Sequence, residues 1–154
     1  MGMLLREHPL YRSSMELTPS HLSLARDTMS QGIESLMTSG SPFSAIAMVE
    51  KDNARRLVRF IHERAEGSAE AARRFCTTQD DADSVAFAID AFITYQGARS
   101  DAIVVECWDH RTETVSRQAL RYATTGMFRK KPFLVGTPLE LTPEGWVPAD
   151  DTTG

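Results

Sequence analysis

Apolar residues recur at three- and four-residue steps between Thr18 and Gly40, a pattern that predicts an amphipathic helix. The apolar positions are Leu22, Ala25, Met29, Ile33, Leu36 and Met37. Thr18 is a favourable N-cap, and Pro19 suits the first helical position because its missing N–H has no intrahelical partner there. Gly40, with Pro42 behind it, provides a stop. We therefore expect the first helix between Thr18 and Gly40.

The pattern changes after Pro42 to that of a hairpin. Two apolar stretches, 43–50 and 55–62, flank a segment of turn-forming residues around Asp52 and Asn53. The alternative is that 54–66 is helical, because Arg, Leu and Ala all favour helix. We expect the hairpin.

A second helix and a series of strands follow. The helix is expected to begin near Glu66 and to end before the acidic cluster 80–83, which we interpret as a solvated loop. Its narrow apolar stripe consists of Ala69, Ala72, Phe75 and Cys76. Strands are predicted at 85–95, 102–108 and 114–123, with a short strand around 133–135, because β-branched and aromatic residues are enriched there. Short connections predict an antiparallel meander.

The element order α-β-β-α-β-β-β-β predicts an α+β domain in which two helices pack on one face of a mainly antiparallel sheet. We expect one domain over 18–141. Residues 1–17 are expected to form a partly ordered arm, and residues 142–154, which contain Pro143 and Pro148, a flexible tail.

Side-chain alternation allows the faces of the meander to be predicted. If the first turn is centred on Ala98, Ile89 lies opposite Cys107 on an apolar face that packs against the helices. Asp90 then lies opposite Glu106 on the second face. Like charges in this position are unfavourable unless something compensates them.

The third strand supplies that compensation. Its odd positions include two arginines that are costly to place in a core, so they are expected on the second face, with Arg117 beside Glu106. The sequence thus predicts a row Asp90–Glu106–Arg117 with aromatic residues above and below it. The candidate ligand- or partner-binding residues are Asp90, Phe92, Glu106, Trp108, Arg117 and Arg121.

Three interpretations of this face remain open. It is a solvated ladder of charges, which stabilises a fold by only about 0–1 kcal/mol per exposed pair. It is a partner surface, since Trp and Arg are enriched at interface hot spots. Or it is a buried carboxylate pair for acid–base chemistry.

Composition limits the function classes. The chain has 154 residues, a mass of 17.1 kDa and a net charge of −4. One domain of this size builds a core without a metal or a disulfide. The acidic balance argues against nucleic-acid binding, although arginines cluster between 54 and 74 and a basic patch lies at 129–131. No apolar stretch reaches the roughly 20 residues of a membrane span.

The two cysteines, Cys76 and Cys107, lie in apolar surroundings and are expected to be free, buried thiols. The N-terminal residues lack the basic region and apolar run of a signal peptide, so we expect a cytoplasmic, bacterial protein. A Cys107–His110 nucleophile would need the two side chains in contact, whereas the predicted register turns Cys107 towards the core.

The sequence carries no phosphate-binding glycine loop, no nucleophile elbow and no histidine pair with metal-ligand spacing. We therefore expect no metal and no cofactor, we assign no catalytic residue, and a non-enzymatic role is favoured. The hypothesis is a binding or assembly module that forms a homodimer through the second sheet face. The alternative is a small-molecule-binding domain or small enzyme that uses Asp90, Glu106, Arg117 and Trp108.

Overall fold

The chain forms one sheet with a helix on each face in the computed structural model, which describes residues 12–13, 17–61, 65–126, 131–141 and 146–148. The helices are α1 (Pro19–Ser39) and α2 (Ala65–Thr77). The strands are β1 (Arg12–Ser13), β2 (Ile46–Lys51), β3 (Ala54–Arg59), β4 (Ser84–Tyr95), β5 (Ala98–Asp109), β6 (Thr114–Thr125), β7 (Lys131–Glu140) and β8 (Trp146–Pro148).

The strands lie side by side in the order β3–β2–β4–β5–β6–β7. The short β8 pairs with β4 beyond the end of β2, and β1 pairs with the start of β6 in parallel, whereas the other pairs are antiparallel. The α+β class and the order of the predicted elements are therefore confirmed. The hairpin is also confirmed, since 54–59 is strand and not helix.

Two predicted segments lie largely outside the described residues. Of the predicted arm, only β1 and residue 17 are described; of the predicted tail, only β8, which is paired within the sheet. Residues 129 and 130 of the basic patch are also outside the described part of the chain.

The two helices pack on opposite faces of the sheet, which corrects the expectation that both lie on one face. Leu24, Met29 and Leu36 of α1 pack on the face that carries Ala86 and Ala88, called here the α1 face. In α2, the apolar residues Ala69, Ala72 and Cys76 pack on the face that carries Val85 and Phe87, called the α2 face. The reason is that 84–91 of β4 and 102–109 of β5 are buried on both sides, so each side needs cover.

The register of the β4–β5 hairpin differs from the predicted one by three residues. Its turn is only Gln96–Gly97, with φ of 52° and 80°, a two-residue hairpin turn in which both residues have positive φ. Pairing therefore continues through 98–100, and Ile89 lies opposite Val104 instead of Cys107. A register shift by an odd number of residues places side chains that were expected on the same face of the sheet on opposite faces.

The ends of α1 form as predicted. The Thr18 hydroxyl accepts a hydrogen bond from the His21 backbone N–H over 3.1 Å, and the Gly40 N–H donates to the Leu36 carbonyl over 2.9 Å. Between these caps, α1 comes so close to the sheet at Gly32 that an added Cβ would lie 2.9 Å from Cγ2 of Ile103 and 3.2 Å from Cβ of Ala88.

We expect Gly32→Ala to lower the free energy of unfolding by about 1 kcal/mol, because overpacking costs about 1–3 kcal/mol and exceeds the gain of about 1 kcal/mol in helix propensity. Ser30→Ala, at an exposed position of the same helix, is the control and should change stability by less than about 0.5 kcal/mol. Urea unfolding of both variants measures the effect. A Gly32→Ala protein as stable as the control would show that α1 does not contact the sheet this closely.

Candidate functional site

The corrected register separates the predicted row of charges onto the two faces of the sheet. Glu106 does lie opposite Arg117, as predicted. Asp90, however, lies opposite Ile103 and on the other face, so the continuous row Asp90–Glu106–Arg117 is wrong. Asp90 and Phe92 belong to the α1 face, whereas Glu106, Trp108, Arg117 and Arg121 belong to the α2 face.

On the α2 face, Glu106 is held by two donors. Arg117 Nε donates to Glu106 Oε2 over 2.6 Å, and Trp108 Nε1 donates to Glu106 Oε1 over 2.8 Å. The Glu106 and Arg117 side chains are only 5% and 4% exposed, so the interpretation as a solvated ladder is wrong. Burial lowers the pKa of Arg73 on α2, and the charge of Glu106 opposes this shift. This cluster joins β5, β6 and α2 inside the protomer.

We expect Arg117→Met to destabilise the protein by about 3–5 kcal/mol, because it removes the guanidinium that is paired with the buried Glu106 carboxylate. Adding Glu106→Gln to this variant should recover part of the loss, since the two residues are in contact. The loss should not depend on protein concentration, because the pair is buried within one protomer.

The control is Arg74→Met, which removes an exposed ion pair with Glu70 and should cost less than about 1 kcal/mol. Chemical unfolding at several protein concentrations measures the free energy of unfolding of the wild type and of each variant. Equal losses in the Arg117 and Arg74 variants would contradict the buried pair.

On the α1 face, Asp90 joins the sheet to the segment that follows α1. The Tyr122 hydroxyl donates to Asp90 Oδ1 over 2.6 Å. Oδ2 accepts from the Ser41 hydroxyl over 3.0 Å and from the Phe43 backbone N–H over 3.1 Å. Asp90 is buried while Ser41 is exposed, so this hydrogen-bonded cluster reaches solvent through Ser41.

Two carboxyl groups of this face have raised pKa values. Burial raises the pKa of Asp90 to about 6, although the hydrogen bonds from Tyr122, Ser41 and Phe43 act in the opposite direction. Burial also raises the pKa of the half-buried Asp101, and the charge of Arg99 opposes that shift. Asp101 is a diagonal neighbour of Asp90, since it lies two residues from Ile103 on the same face of β5. Perturbed carboxyl groups of this kind occur preferentially at functional sites.

The raised pKa of Asp90 predicts a pH dependence of stability. The unfolded chain has the lower pKa, so the folded protein binds the proton more tightly and loses stability as the pH rises from about 4 to about 6, by up to about 3 kcal/mol. We expect Asp90→Asn to remove this slope. The measurement is the difference in unfolding free energy between the wild type and the variant at several pH values.

Asp80→Asn, which changes an exposed carboxylate, is the control and should keep the wild-type slope. Parallel curves for the wild type and Asp90→Asn between pH 4 and pH 7 would show that Asp90 does not titrate in this range.

A third polar network lies at the other end of the α1 face, and sequence reasoning missed it. Glu50, Ser84, Asp109 and Thr114 lie side by side on four adjacent strands. Arg111 contacts both Glu50 and Asp109, and Arg55 contacts Glu50, Asp27 and Ser23. The buried His21 bonds Ser116 and Thr114 through its two ring nitrogens, and burial lowers its pKa. These contacts anchor the first turns of α1 to the sheet.

The arginines between 54 and 59 are engaged in contacts with the protein itself. Arg55 pairs with the acidic groups named above, Arg59 donates to Ser35, and Arg56 lies 5.7 Å from the centre of the Phe75 ring. A cavity of about 350 Å³ beside them also contains Lys51, which donates to the Asp81 carbonyl over 2.7 Å. Three cations and one carboxylate line it, and two of the cations, Lys51 and Arg55, are already bonded to groups of the protein.

Both cysteines are buried and free, as predicted. Cys107 packs against Leu24 and Ala25 of α1, and burial raises its pKa. His110 instead bonds the Ala82 carbonyl through Nδ1 over 3.0 Å. The structure therefore does not bring Cys107 and His110 together as a nucleophile and base.

Within the described residues, no three His, Cys, Asp or Glu side chains are grouped as metal ligands. No helix among those residues has the length and apolarity needed to cross a membrane. Comparisons with protein-family models, with curated proteins and with solved structures found no match to this chain.

Near the β4–β5 turn, beyond the end of α1, the described β4 and β5 residues of the α1 face are half-buried or exposed. Arg99 lies with its guanidinium carbon 3.7 Å from the centre of the Phe92 ring, and Asp101 is opposite Phe92. On β7, the exposed Leu134 lies opposite Tyr122 in the same row. We call Phe92, Arg99, Asp101 and Leu134 the distal patch.

Sequence reasoning found Asp90 and Phe92 but missed Ser41, Asp101 and Tyr122. Asp101 lay just before the predicted strand 102–108, and Tyr122 lay within the predicted strand 114–123 but was assigned no polar role. A two-residue turn at Gln96–Gly97 was the available signal, because it extends β5 to Ala98 and brings Asp101 into the row of Phe92.

Proposed function

We propose that the protein is a non-enzymatic binding and assembly module, and that it forms a homodimer through the distal patch. The proposed interface differs from the one expected from the sequence, which included Glu106, Trp108 and Arg117. Glu106, Trp108 and Arg117 are buried within the protomer and cannot meet a partner without unfolding the α2 face.

The observation that carries the proposal is the Arg99–Phe92 stack beside Asp101. A cation stacked on an aromatic ring lies beside a carboxylate, and the exposed Leu134 lies two strands from that carboxylate in the same row, so the patch combines apolar surface with both charge signs. Such a surface is self-complementary, because a two-fold axis can place Arg99 of one copy against Asp101 of the other. Arg and aromatic residues are also enriched among interface hot spots.

Variants that reverse the charge of Arg99 or Asp101 test the proposed pairing of these two residues between protomers. Arg99→Asp and Asp101→Arg should each convert the dimer into a 17.1 kDa monomer, since each variant places like charges together twice. An equimolar mixture of the two variants should form a heterodimer, because the opposite charges then meet again. Light scattering between about 1 and 100 µM protein measures the mass, a range in which specific interfaces of moderate affinity are populated.

Arg26→Asp is the matched control, since Arg26 is an exposed arginine on α1 outside the distal patch, and it should remain dimeric. A wild-type mass of one chain over the whole range would overturn the proposal. A wild-type dimer that survives both exchanges would place the interface elsewhere.

A small-molecule site remains the alternative, in a narrower form than the sequence suggested. The two carboxyl groups with raised pKa, Asp90 and Asp101, support it, whereas Glu106, Trp108 and Arg117 lie on the opposite face. Asp90→Asn discriminates the two proposals, because it removes the acid–base group and leaves the charges of the distal patch unchanged. The two free thiols are compatible with the predicted cytoplasmic location, and the bacterial origin stays a prediction.

A further inference from the structure

Arg121 lies on the α2 face, away from the distal patch, and its guanidinium is stacked on an aromatic ring. It is opposite Ala102 on β5 and Val135 on β7. The guanidinium carbon is 3.8 Å from the centre of the Tyr95 ring. Because the neighbour on β5 is small, the long side chain can lie along the sheet to reach Tyr95.

The backbone of β7 is shaped to accept this guanidinium. The pairing of β6 with β7 is interrupted between Ala119 and Arg121, and Gly136 in the interruption has a φ of 73°. A Cβ at Gly136 would lie 2.7 Å from a terminal nitrogen of Arg121, so a side chain there would displace it. The guanidinium is therefore positioned by Tyr95 and by the close approach of Gly136.

The charge of Arg121 has no anionic partner among the described residues. No carboxylate in that part of the chain forms an ion pair with it, and its buried Nε has no hydrogen-bond acceptor there. A buried donor without an acceptor is unfavourable by about 1–3 kcal/mol. Only Nε is buried in this way, so the terminal nitrogens of the half-buried side chain are the atoms that a ligand carboxylate can reach to offset the charge.

We propose that Arg121 anchors a binding site for a carboxylate carried on an apolar body. A guanidinium binds a carboxylate through two parallel hydrogen bonds, and Arg121 is already held in place for this. Apart from Ser100, the side chains around it on the α2 face are apolar or aromatic: the half-buried Tyr95 and Val135 and the exposed Phe133. One cation in such surroundings suits a monoanion with an apolar body better than a phosphate dianion.

The probe is 3-phenylpropionate, and the matched neutral probe is 3-phenylpropanamide. We expect the acid to bind with a dissociation constant in the millimolar range, as befits a ligand of this size, and to shift the NMR signal of the Arg121 Nε–H. The amide should bind at least tenfold more weakly. Inorganic phosphate should shift the same signal only at higher concentration, and tighter binding of phosphate would reassign the site to phosphate groups.

Three variants test the anchor. Arg121→Gln should weaken binding of the acid at least tenfold, and Arg121→Lys should also weaken it, since an ammonium lacks the planar fork. Gly136→Ala should weaken it without removing a charge, because the new Cβ displaces the guanidinium. Arg74→Gln, at an exposed arginine of α2, should bind like the wild type.

Equal binding of acid and amide, unchanged binding by Arg121→Gln, or no shift of the Nε–H signal at about 20 mM acid, well above the expected constant, would each overturn the proposal. The Asp101→Arg variant separates this site from the proposed dimer interface. It should bind the acid like the wild type, since Asp101 lies on the α1 face.

Discussion

The β4–β5 hairpin is buried on both of its faces, and this constraint determines where the other parts of the chain lie. Residues 84–91 and 102–109 have no exposed side, so cover is needed above and below them. The helix α1 supplies it on one face and α2 contributes to it on the other. Because a buried polar group needs a partner, the few charges on these strands must be satisfied inside the protein.

The buried carboxylates on the two faces have hydrogen-bond donors from different parts of the chain. On the α2 face, Glu106 is satisfied by Arg117 and Trp108, which come from the sheet itself. On the α1 face, Asp90 is satisfied by Tyr122 and by the segment after α1, through Ser41 and Phe43. Beyond that segment, the sheet is no longer covered by α1, and the exposed ends of the hairpin carry the Arg99–Phe92 and Arg121–Tyr95 stacks. The proposed dimer interface and the proposed carboxylate site therefore both lie near the β4–β5 turn, away from the parts of the sheet on which α1 and α2 pack.

The features that could be predicted were those set by neighbouring residues. The helix α1 followed from its periodicity and its caps, and the β2–β3 hairpin from its turn chemistry. The Glu106–Arg117 pair was also predicted, but on the premise that arginines avoid the core, whereas Arg117 is buried. The candidate site was predicted only in part. Asp90 and Phe92 were identified, but the turn was taken as longer than Gln96–Gly97, and an error of three residues assigned Asp90 to the wrong face.

The sequence by itself determined the element order, the α+β class and the buried character of Cys76 and Cys107, because these depend on local patterns and on the composition of each segment. Only the tertiary structure decided which helix covers which face. The alternation of polar and apolar residues that normally marks a strand's faces is absent from β4 and β5, since both of their faces are buried. For the same reason, contacts between distant segments, such as Ser41 with Asp90 and Gly136 with Arg121, become visible only once the chain is folded.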